Sequence, residues 1–315
     1  MMKLNLQKTT TISNKVIFLF GPTAVGKTDL ITNYFLNNYE VVNADSMQVY
    51  RYLDIGSAKP SLELMEKIPH HLVNILDPWT QFTVGQFIEE ADKACAQIWA
   101  KGKIPVLTGG TAYYFKHFLY GLSSLPPADL EIRDHVANVI AEKGEEWAYK
   151  TMCLVDEVSG ARINKNDLYR ISRVLEVFEQ TGKPLSSFEV PTKHRNNMQP
   201  LIIGLYRDKD ELQQRIALRV ELMLKDGLVE EMKTLFRMGA EQSWPGMQGI
   251  GYKEFFEARE SGESSLTTIA EAIITNSRKY AKRQLTFFKS FANCHWVNPK
   301  DTESLTELIE NYLAK

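Results

Sequence analysis

The stretch VIFLFGPTAVGKT, at residues 16–28, decides the fold of this chain. Its first five residues are apolar, which is typical of a short strand that is buried on both faces. The next eight match the phosphate-binding pattern G-x-x-x-x-G-K-[ST] without a mismatch, and helix-compatible residues follow them. The order strand, glycine-rich turn, helix therefore predicts a phosphate-binding loop (P-loop). Its residues are Gly21, Pro22, Thr23, Ala24, Val25, Gly26, Lys27 and Thr28.

Each part of this loop has a physical reason to bind phosphate. The glycines let backbone N–H groups turn inward, and the start of the following helix adds its positive dipole end. Lys27 supplies a full positive charge, and Thr28 offers a hydroxyl to Mg²⁺. The loop alone does not identify the phosphate compound or its reaction.

The composition sets limits on the class of protein. With 315 residues, 44% of them apolar, and a net charge of -2, the chain is long enough for a large core and does not bind polyanions by bulk charge. Its cysteines, Cys95, Cys153 and Cys294, show no C-x-x-C spacing, which favours a reducing compartment and argues against a zinc site. The N-terminus lacks the apolar core of a secretory signal, and no apolar run reaches about 20 residues. We expect a cytoplasmic monomer without a membrane segment.

The pattern along the chain predicts an α/β protein with two parts. Short apolar strands alternate with helical periods in residues 1–121 and again in residues 196–315, which indicates a parallel sheet around the P-loop. A proline-containing break, LSSLPP at 122–127, precedes successive helical patterns without a convincing strand. We therefore predict a P-loop NTPase-like catalytic core, interrupted by a mostly helical insertion domain at residues 122–195.

Polar residues follow two of the predicted strands. Asp45 comes directly after the strand around residues 40–44, and the strand at 104–107 runs into Thr108-Gly109-Gly110-Thr111. Because ligands bind at the carboxyl ends of parallel strands, these residues are candidates for the site. An Asp or Thr at such a junction is also common as a turn or cap residue, and both interpretations stay open here. The adjacent His70 and His71 point to opposite strand faces, so a structural role is favoured over a shared metal ion.

The last long helix carries an unusual charge pattern. No Asp or Glu occurs between Ala272 and Lys300, while basic and aromatic residues alternate there. Such a stripe is typical of nucleic-acid backbone binding, although a basic helix end can also complement its own dipole. The basic residues are Arg278, Lys279, Lys282, Arg283 and Lys289, and the aromatic ones are Tyr280, Phe287 and Phe288.

Phosphate chemistry first suggests an ATP-dependent small-molecule kinase. Asp45 could orient an acceptor hydroxyl, and the helical insertion could act as a lid. However, the strand ending at Leu107 leads to Thr-Gly-Gly-Thr instead of an Asp that would hold Mg²⁺ in the usual manner of nucleotide triphosphatases. A metabolite kinase also has no need of the basic C-terminal helix.

An ordered set of motifs resembles one family. It comprises the P-loop and NADSMQVY at 43–50, DIGSAKP at 54–60, PHHL at 69–72, VLTGGTAYY at 106–114, RISRVLEVF at 170–178 with TGK at 181–183, RIALR at 215–219, GIGY at 249–252 and AKRQLT at 281–286. On these motifs the chain resembles the bacterial tRNA dimethylallyltransferases, also called tRNA isopentenyltransferases or IPP transferases. It departs from them at Ala44, where the family often has Thr or Ser, and at Tyr169, where it often has Gln.

The resemblance implies a prenyl transfer. Dimethylallyl diphosphate would donate its prenyl group to the exocyclic amine of the adenosine 3′ of the anticodon, and diphosphate would leave. It implies that Asp45 is the general base, that Thr111 positions the adenine, and that Lys27 and Arg219 stabilise the diphosphate together with Thr23 and Mg²⁺ on Thr28. Arg215, one turn before Arg219, is a second candidate for contact with the diphosphate.

The resemblance also implies an anticodon stem-loop with a flipped adenine that enters a channel through the protein. A third possibility is that the chain prenylates free adenylate, as some relatives do. The helical insertion and the basic C-terminal helix argue against this possibility. The residues that would contact tRNA are Asp45, Ser46, Met47, Gln48, Thr111, Arg133, Tyr169, Arg170, Ile171, Ser172, Arg173, Gln248, Tyr252, Lys282, Arg283, Gln284 and Lys289.

Overall fold

A computed structural model describes residues 14–262 and 265–315. The N-terminal segment, for which the sequence predicts no secretory signal, lies largely outside the described residues. Six strands form one all-parallel sheet in the order β3-β2-β4-β1-β5-β6. The predicted α/β class with a parallel sheet is thereby confirmed. The strands are β1 Lys15–Phe20, β2 Tyr39–Asn43, β3 His70–His71, β4 Ile104–Gly109, β5 Gln199–Leu205 and β6 His295–Val297.

The described part of the chain also contains thirteen α-helices. Short 3-10 turns occur at Leu185–Ser187 and Pro245–Gln248. The helices are α1 Lys27–Tyr34, α2 Leu62–Lys67, α3 Val84–Ala100, α4 Ala112–Tyr120, α5 Leu130–Lys143, α6 Glu145–Val155, α7 Glu157–Gly160, α8 Leu168–Thr181, α9 Lys209–Lys225, α10 Leu228–Arg237, α11 Lys253–Glu260, α12 Leu266–Phe288 and α13 Thr302–Ala314.

The central strand β1 explains why the P-loop is held firmly. Every residue of β1 is buried, and the strand pairs in parallel with β4 on one side and β5 on the other. A strand without an exposed face needs apolar residues at every position, which is the pattern of residues 16–20. The loop that follows β1 therefore starts from the middle of the sheet.

Two apolar layers cover the sheet. On one side, residues such as Ile17 and Leu19 of β1 pack in a cluster with α1 and α13. On the other side, Phe20 stacks on Phe288 of α12 with ring centroids 4.3 Å apart, and Phe18 contacts Phe115 of α4. The long C-terminal helix α12 is thus anchored directly on the strand that leads into the P-loop.

Local sequence signals set several helix ends. At the start of α3, Thr83 and Gln86 form a reciprocal capping box. Asp167 caps α8, and Gly182 ends that helix in the left-handed conformation.

The chain divides into two compact units. The second comprises residues 120–195, two residues longer at its start than the predicted insertion, and contains α5 to α8. It has a core of its own, formed by Val136, Ile140, Ala148, Met152, Ile171, Val174 and Leu175. The first unit comprises the rest of the chain, including the sheet. Among the helices of the described ranges, none is long and apolar enough to cross a membrane.

Candidate active site

The P-loop has the backbone geometry that anion binding requires. Ala24 and Gly26 both have left-handed φ angles, 62° and 109°, between β1 and the start of α1. Alternation of left-handed and right-handed residues makes successive N–H groups converge on one side of a loop. Gly21 has a different role, because a Cβ atom there would lie 2.8 Å from the carbonyl oxygen of Leu205. Only glycine lets the loop leave the sheet so close to β5.

Lys27 is half-buried within this loop. Its Nζ donates hydrogen bonds to the carbonyl oxygens of Gly21 (2.9 Å) and Pro22 (3.0 Å). Burial is the main cause that lowers the pKa of Lys27 to about 7, and the nearby charge of Arg219 adds to this effect, while Asp45 opposes it. An anionic ligand stabilises a desolvated ammonium of this kind more strongly than it stabilises an ammonium in water.

Arg219 reaches the same space from α9. Burial also lowers the pKa of this guanidinium, and the charge of Asp45 opposes the shift. Lys27 and Arg219 are therefore two half-buried, partly desolvated cations beside one cavity, and a bound anion would offset their charge.

Two further arginines hold the loop from its carbonyl side. Arg215 Nε donates to the carbonyl oxygen of Ala24 (2.8 Å), and Arg207 Nε donates to that of Val25 (2.7 Å). Arg215 also lies 3.5 Å from Asp29. Arg215 is thus a backbone support of the P-loop in this structure, while Arg219, one turn later, lines the cavity.

Asp45 follows β2 and lines the same cavity as Lys27. Its Oδ1 accepts a hydrogen bond from the backbone N–H of Met47 (2.9 Å). The other oxygen, Oδ2, lies 3.2 Å from the point where a Cβ of Gly110 would be. One carboxylate oxygen closes the turn, and Asp45 also lines the cavity, so this position is compatible with both interpretations made from the sequence.

The Gly-Gly-Thr segment after β4 supports this carboxylate. A Cβ at Gly109 would lie 2.3 Å from the carbonyl of Ala44, so only glycine allows this approach of the two strand ends. The hydroxyl of Thr111 accepts from the N–H of Ser46 (2.9 Å) and donates to its Oγ (3.2 Å). Thr111 therefore orders the turn that carries Asp45, and its hydroxyl is engaged there.

These groups surround one cavity of about 410 Å³, lined entirely by residues of the first unit. Its size falls within the range of small-molecule sites. Apolar side chains such as Ile216 and Met223 line part of it beside the charged groups. The predicted site residues that it brings together are Thr23, Lys27, Thr28, Asp45, Ser46, Met47, Gln48, Arg219, Gln248, Arg283 and Gln284.

The basic stripe of α12 separates into an outer and an inner face. All five predicted basic residues are exposed, and no ion pair with an acidic group is found for them among the described residues. Phe288 is buried on Phe20, and Phe287 lies beside Lys116, so these aromatic rings belong to the packing of the helix. Arg283 is exposed and also lines the cavity.

Three of the predicted tRNA contacts need correction. Ile171 and Tyr252 have no exposed surface, because they belong to the cores of their units. Tyr252 donates its hydroxyl hydrogen to Glu231 (2.8 Å) and accepts from the N–H of Ser57 (3.0 Å). Gln284 is only 3% exposed and is hydrogen-bonded inside the protein.

The other predicted contacts of the insertion lie in the second unit. Tyr169 is 82% exposed, and Arg170 forms an exposed ion pair with Asp167. Arg133 and Arg173 both approach the buried Glu176, at 3.7 Å and 3.0 Å. The hydroxyl of Ser172 donates to the carbonyl of Leu168.

Sequence reasoning missed Glu231 on α10. Its carboxylate accepts from the backbone N–H groups of Asp54 (2.9 Å), Ile55 (2.8 Å) and Gly56 (3.1 Å) as well as from Tyr252. The loop held in this way accepts two hydrogen bonds from Gln48, one of the residues at the cavity. Nothing in the local pattern LVEEMK distinguishes this glutamate from a solvated one.

The residues present fit a Mg²⁺ ion that is held mainly by phosphate. In the described ranges, no cluster of three His, Cys, Asp or Glu residues could form a metal cage. Mg²⁺ in phosphate sites takes few protein ligands and completes its shell with phosphate oxygens and water. The exposed Thr28, at the edge of the cavity, can supply one such ligand.

The chain is similar to known proteins over most of its length. Residues 48–291 match the family model described as IPP transferase. A tRNA dimethylallyltransferase of Borrelia turicatae (strain 91E135) is 43% identical to this chain, and the match covers 91% of this chain and 95% of the relative. A tRNA dimethylallyltransferase of Alkaliphilus oremlandii (strain OhILAs) is 36% identical, and the match covers 95% of this chain and 96% of the relative.

Two solved structures are similar as well. The full-length tRNA isopentenylpyrophosphate transferase of Bacillus halodurans is 33% identical with a TM-score of 0.67 and covers 96% of this chain and 97% of its own. A eukaryotic dimethylallyltransferase acting on tRNA is 27% identical with a TM-score of 0.79, over 95% of this chain and 80% of its own. These matches support neither the kinase nor the free-adenylate alternative. The chain belongs to the IPP transferase family, the family of the tRNA dimethylallyltransferases.

Proposed function

We propose that this protein transfers the dimethylallyl group of dimethylallyl diphosphate to the exocyclic N6 amine of the adenosine 3′ of the anticodon in tRNA. One observation carries the proposal: a carboxylate, Asp45, and a pair of half-buried cations, Lys27 and Arg219, line one cavity beside a P-loop. The names of the relatives support tRNA as the acceptor.

The cations and the loop act on the leaving group. The bond between the allylic carbon and the diphosphate oxygen breaks, and the electron pair stays on diphosphate. Backbone N–H groups of the P-loop, Lys27 and Arg219 stabilise this charge as it develops, because they are fixed in place before the reaction. The hydroxyl of Thr23, on the same loop, adds a further contact. When bound through Thr28 and the diphosphate, Mg²⁺ supplies additional neutralisation of the leaving group.

Asp45 acts on the nucleophile. The amine nitrogen of adenine forms the new bond to carbon and must lose one proton, which passes to the Asp45 carboxylate. The Met47 N–H holds one carboxylate oxygen, so the other oxygen at the cavity is the one that receives the proton. Thr111 positions Asp45 indirectly, through Ser46. General base catalysis of this kind contributes roughly 10²–10⁴ to the rate.

Binding of tRNA rests on local charge. The exposed cations Lys282, Arg283 and Lys289 of α12 contact RNA phosphates, and the target adenine leaves its stack to enter the cavity next to Arg283. The exposed residues Tyr169 and Arg170 of the helical unit give a second contact region. We propose residues 122–195 as an insertion domain that binds tRNA, and a cytoplasmic monomer as the active form.

A direct experiment tests this function. Unmodified tRNA is incubated with the protein, Mg²⁺ and labelled dimethylallyl diphosphate, and its nucleosides are then analysed by mass spectrometry. The expected product is an adenosine heavier by one dimethylallyl group, located 3′ of the anticodon. Labelled ATP serves as the kinase control, and AMP in competition with an anticodon stem-loop tests the free-nucleotide alternative. Transfer of the ATP label, or preferential prenylation of AMP, would overturn the proposal.

A further inference from the structure

Gln284 is a buried polar side chain with both ends of its amide satisfied. It lies on α12 and is 3% exposed. Its Oε1 accepts a hydrogen bond from the backbone N–H of Thr23 (2.9 Å), and its Nε2 donates to the carbonyl oxygen of Gly110 (2.7 Å). A buried amide of this kind is costly unless both ends are paired, so its geometry is tightly defined.

Its two partners belong to the two halves of the candidate active site. Thr23 is part of the P-loop, where its backbone orientation also sets the direction of its hydroxyl. Gly110 follows β4 beside the proposed base. A Cβ at Gly110 would lie 2.7 Å from Nε2 of Gln284 and 3.2 Å from Oδ2 of Asp45. The amide of Gln284 therefore bridges the loop that binds phosphate and the segment that supports the carboxylate.

The same helix carries the exposed cations on its opposite face. Lys282 and Arg283, directly before Gln284, are exposed, while Phe288, one turn later, is stacked on Phe20 of β1. Tyr280, one turn earlier, donates a second hydrogen bond to the carbonyl oxygen of Gly110 (3.1 Å). Gln284 and Tyr280 thus connect α12 directly to Thr23 and Gly110.

We propose that Gln284 is a positioning residue that couples RNA binding on α12 to diphosphate binding in the P-loop. This inference rests on the proposed function, because it assumes that RNA binds the exposed face of α12. Gln284 lines the cavity, but both ends of its amide are already engaged within the protein. It acts through the Thr23 N–H and the Gly110 carbonyl, and it aligns the leaving-group site with the base only when both bonds are in place.

Thermodynamic linkage makes this coupling measurable. If RNA improves the affinity for diphosphate by a given factor, diphosphate must improve the affinity for RNA by the same factor. The experiment measures the dissociation constant of inorganic diphosphate with Mg²⁺, with and without a saturating anticodon stem-loop, by calorimetry. For the wild-type protein we expect the stem-loop to tighten diphosphate binding about fivefold or more.

Three variants separate coupling from packing. Gln284→Leu removes both hydrogen bonds and leaves the exposed cations unchanged. Gln284→Glu keeps an acceptor for the Thr23 N–H, loses the donor to Gly110 and retains the size of the side chain. It serves as the test variant if Gln284→Leu does not fold. Thr286→Ala, at an exposed position of the same helix, is the matched control.

We expect Gln284→Leu to reduce the coupling factor to below about twofold, with RNA affinity alone within about twofold of wild type. Gln284→Glu should lower the factor as well, and Thr286→Ala should retain it. The proposal is overturned if Gln284→Leu keeps the coupling factor of the wild-type protein. If the leucine variant does not fold, the same criterion applies to Gln284→Glu. The proposal is also overturned if the variant tested loses both affinities together with thermal stability, which is the signature of a packing residue.

The wild-type measurement distinguishes the two proposals from each other. Binding of both ligands without any coupling would end the role of Gln284 and leave the proposed transfer reaction intact. A wild-type protein that binds neither the stem-loop nor diphosphate would contradict the proposed function itself.

Discussion

Asp45 shows how a single residue serves both the local turn and the site. One oxygen accepts from the N–H of Met47, and the carboxylate lines the cavity that Lys27 and Arg219 share. Because the turn fixes the side chain, the carboxylate is positioned before any substrate arrives. Such preorganisation is what the proposed role of Asp45 as general base requires.

The substitution Asp45→Asn tests this role. Asparagine keeps an oxygen that can accept from Met47, so the turn should survive, but it cannot take up a proton. We expect turnover to fall by roughly 10²–10⁴, with little change in tRNA affinity. Single-turnover kinetics and RNA binding measure the two effects, and thermal denaturation serves as the control. Unchanged turnover would remove Asp45 as the base.

Lys27 gives a prediction about pH. Burial lowers the pKa of its ammonium to about 7, so the free enzyme loses this charge as the pH rises through that value. We therefore expect kcat/KM for dimethylallyl diphosphate to fall above pH 7, by up to about tenfold per pH unit. Lys27→Arg should flatten this fall, since a guanidinium stays protonated. The substrate titrates equally with both enzymes, and identical pH profiles would contradict the prediction.

At the level of elements, α12 is the clearest example of a helix with two separate faces. Its buried face packs Phe288 on β1 and places Gln284 at the P-loop, while its exposed face carries the cations. The packing of the aromatic residues decides which way the cations point. The sequence pattern suggested a mixed basic and aromatic surface, and the structure shows that the exposed surface is mainly basic.

The double substitution Lys282→Ala with Arg283→Ala tests the exposed face. We expect weaker tRNA binding and a smaller dependence on salt, with the slope of log K against log salt reduced by about 0.7 for each lost phosphate contact. Lys67→Ala with Lys93→Ala removes the same charge from exposed ion pairs on α2 and α3 and is the matched control. An unchanged salt slope in the first variant would show that α12 does not contact phosphates.

At the level of the whole molecule, the two units have separate cores. Seven buried hydrophobic residues of α5, α6 and α8 form the core cluster of residues 120–195, and none of them belongs to the sheet. A unit of this size is close to the lower limit for autonomous folding.

We expect a fragment of residues 120–195 to fold by itself into a helical structure with low stability. Circular dichroism should show helix and a cooperative thermal transition. A Met152→Ala variant, which deletes a fully buried side chain of this core, should lower the melting temperature or abolish the transition, at a cost of about 2–5 kcal/mol. A fragment without a cooperative transition would mean that the unit needs the rest of the chain.

Local patterns predicted most of the fold. The apolar run at 16–20 is the core of β1. Differences from the prediction occur where tertiary contacts determine the end of an element. The predicted strand at 104–107 continues to Gly109 as β4, because its register with β1 extends that far.

By itself the sequence determined the strand–loop–helix unit at 16–28, the parallel sheet, the helical insertion and the family. These depend on periodicity and on motifs of neighbouring residues, which a linear pattern contains. Only the tertiary structure decided which polar groups meet: Arg215 behind the loop and Arg219 in the cavity, Glu231 on three backbone N–H groups, Gln284 between Thr23 and Gly110. Such contacts join residues far apart in the chain, and burial, which no local pattern specifies, determines whether a polar side chain binds a ligand or supports the residues that do.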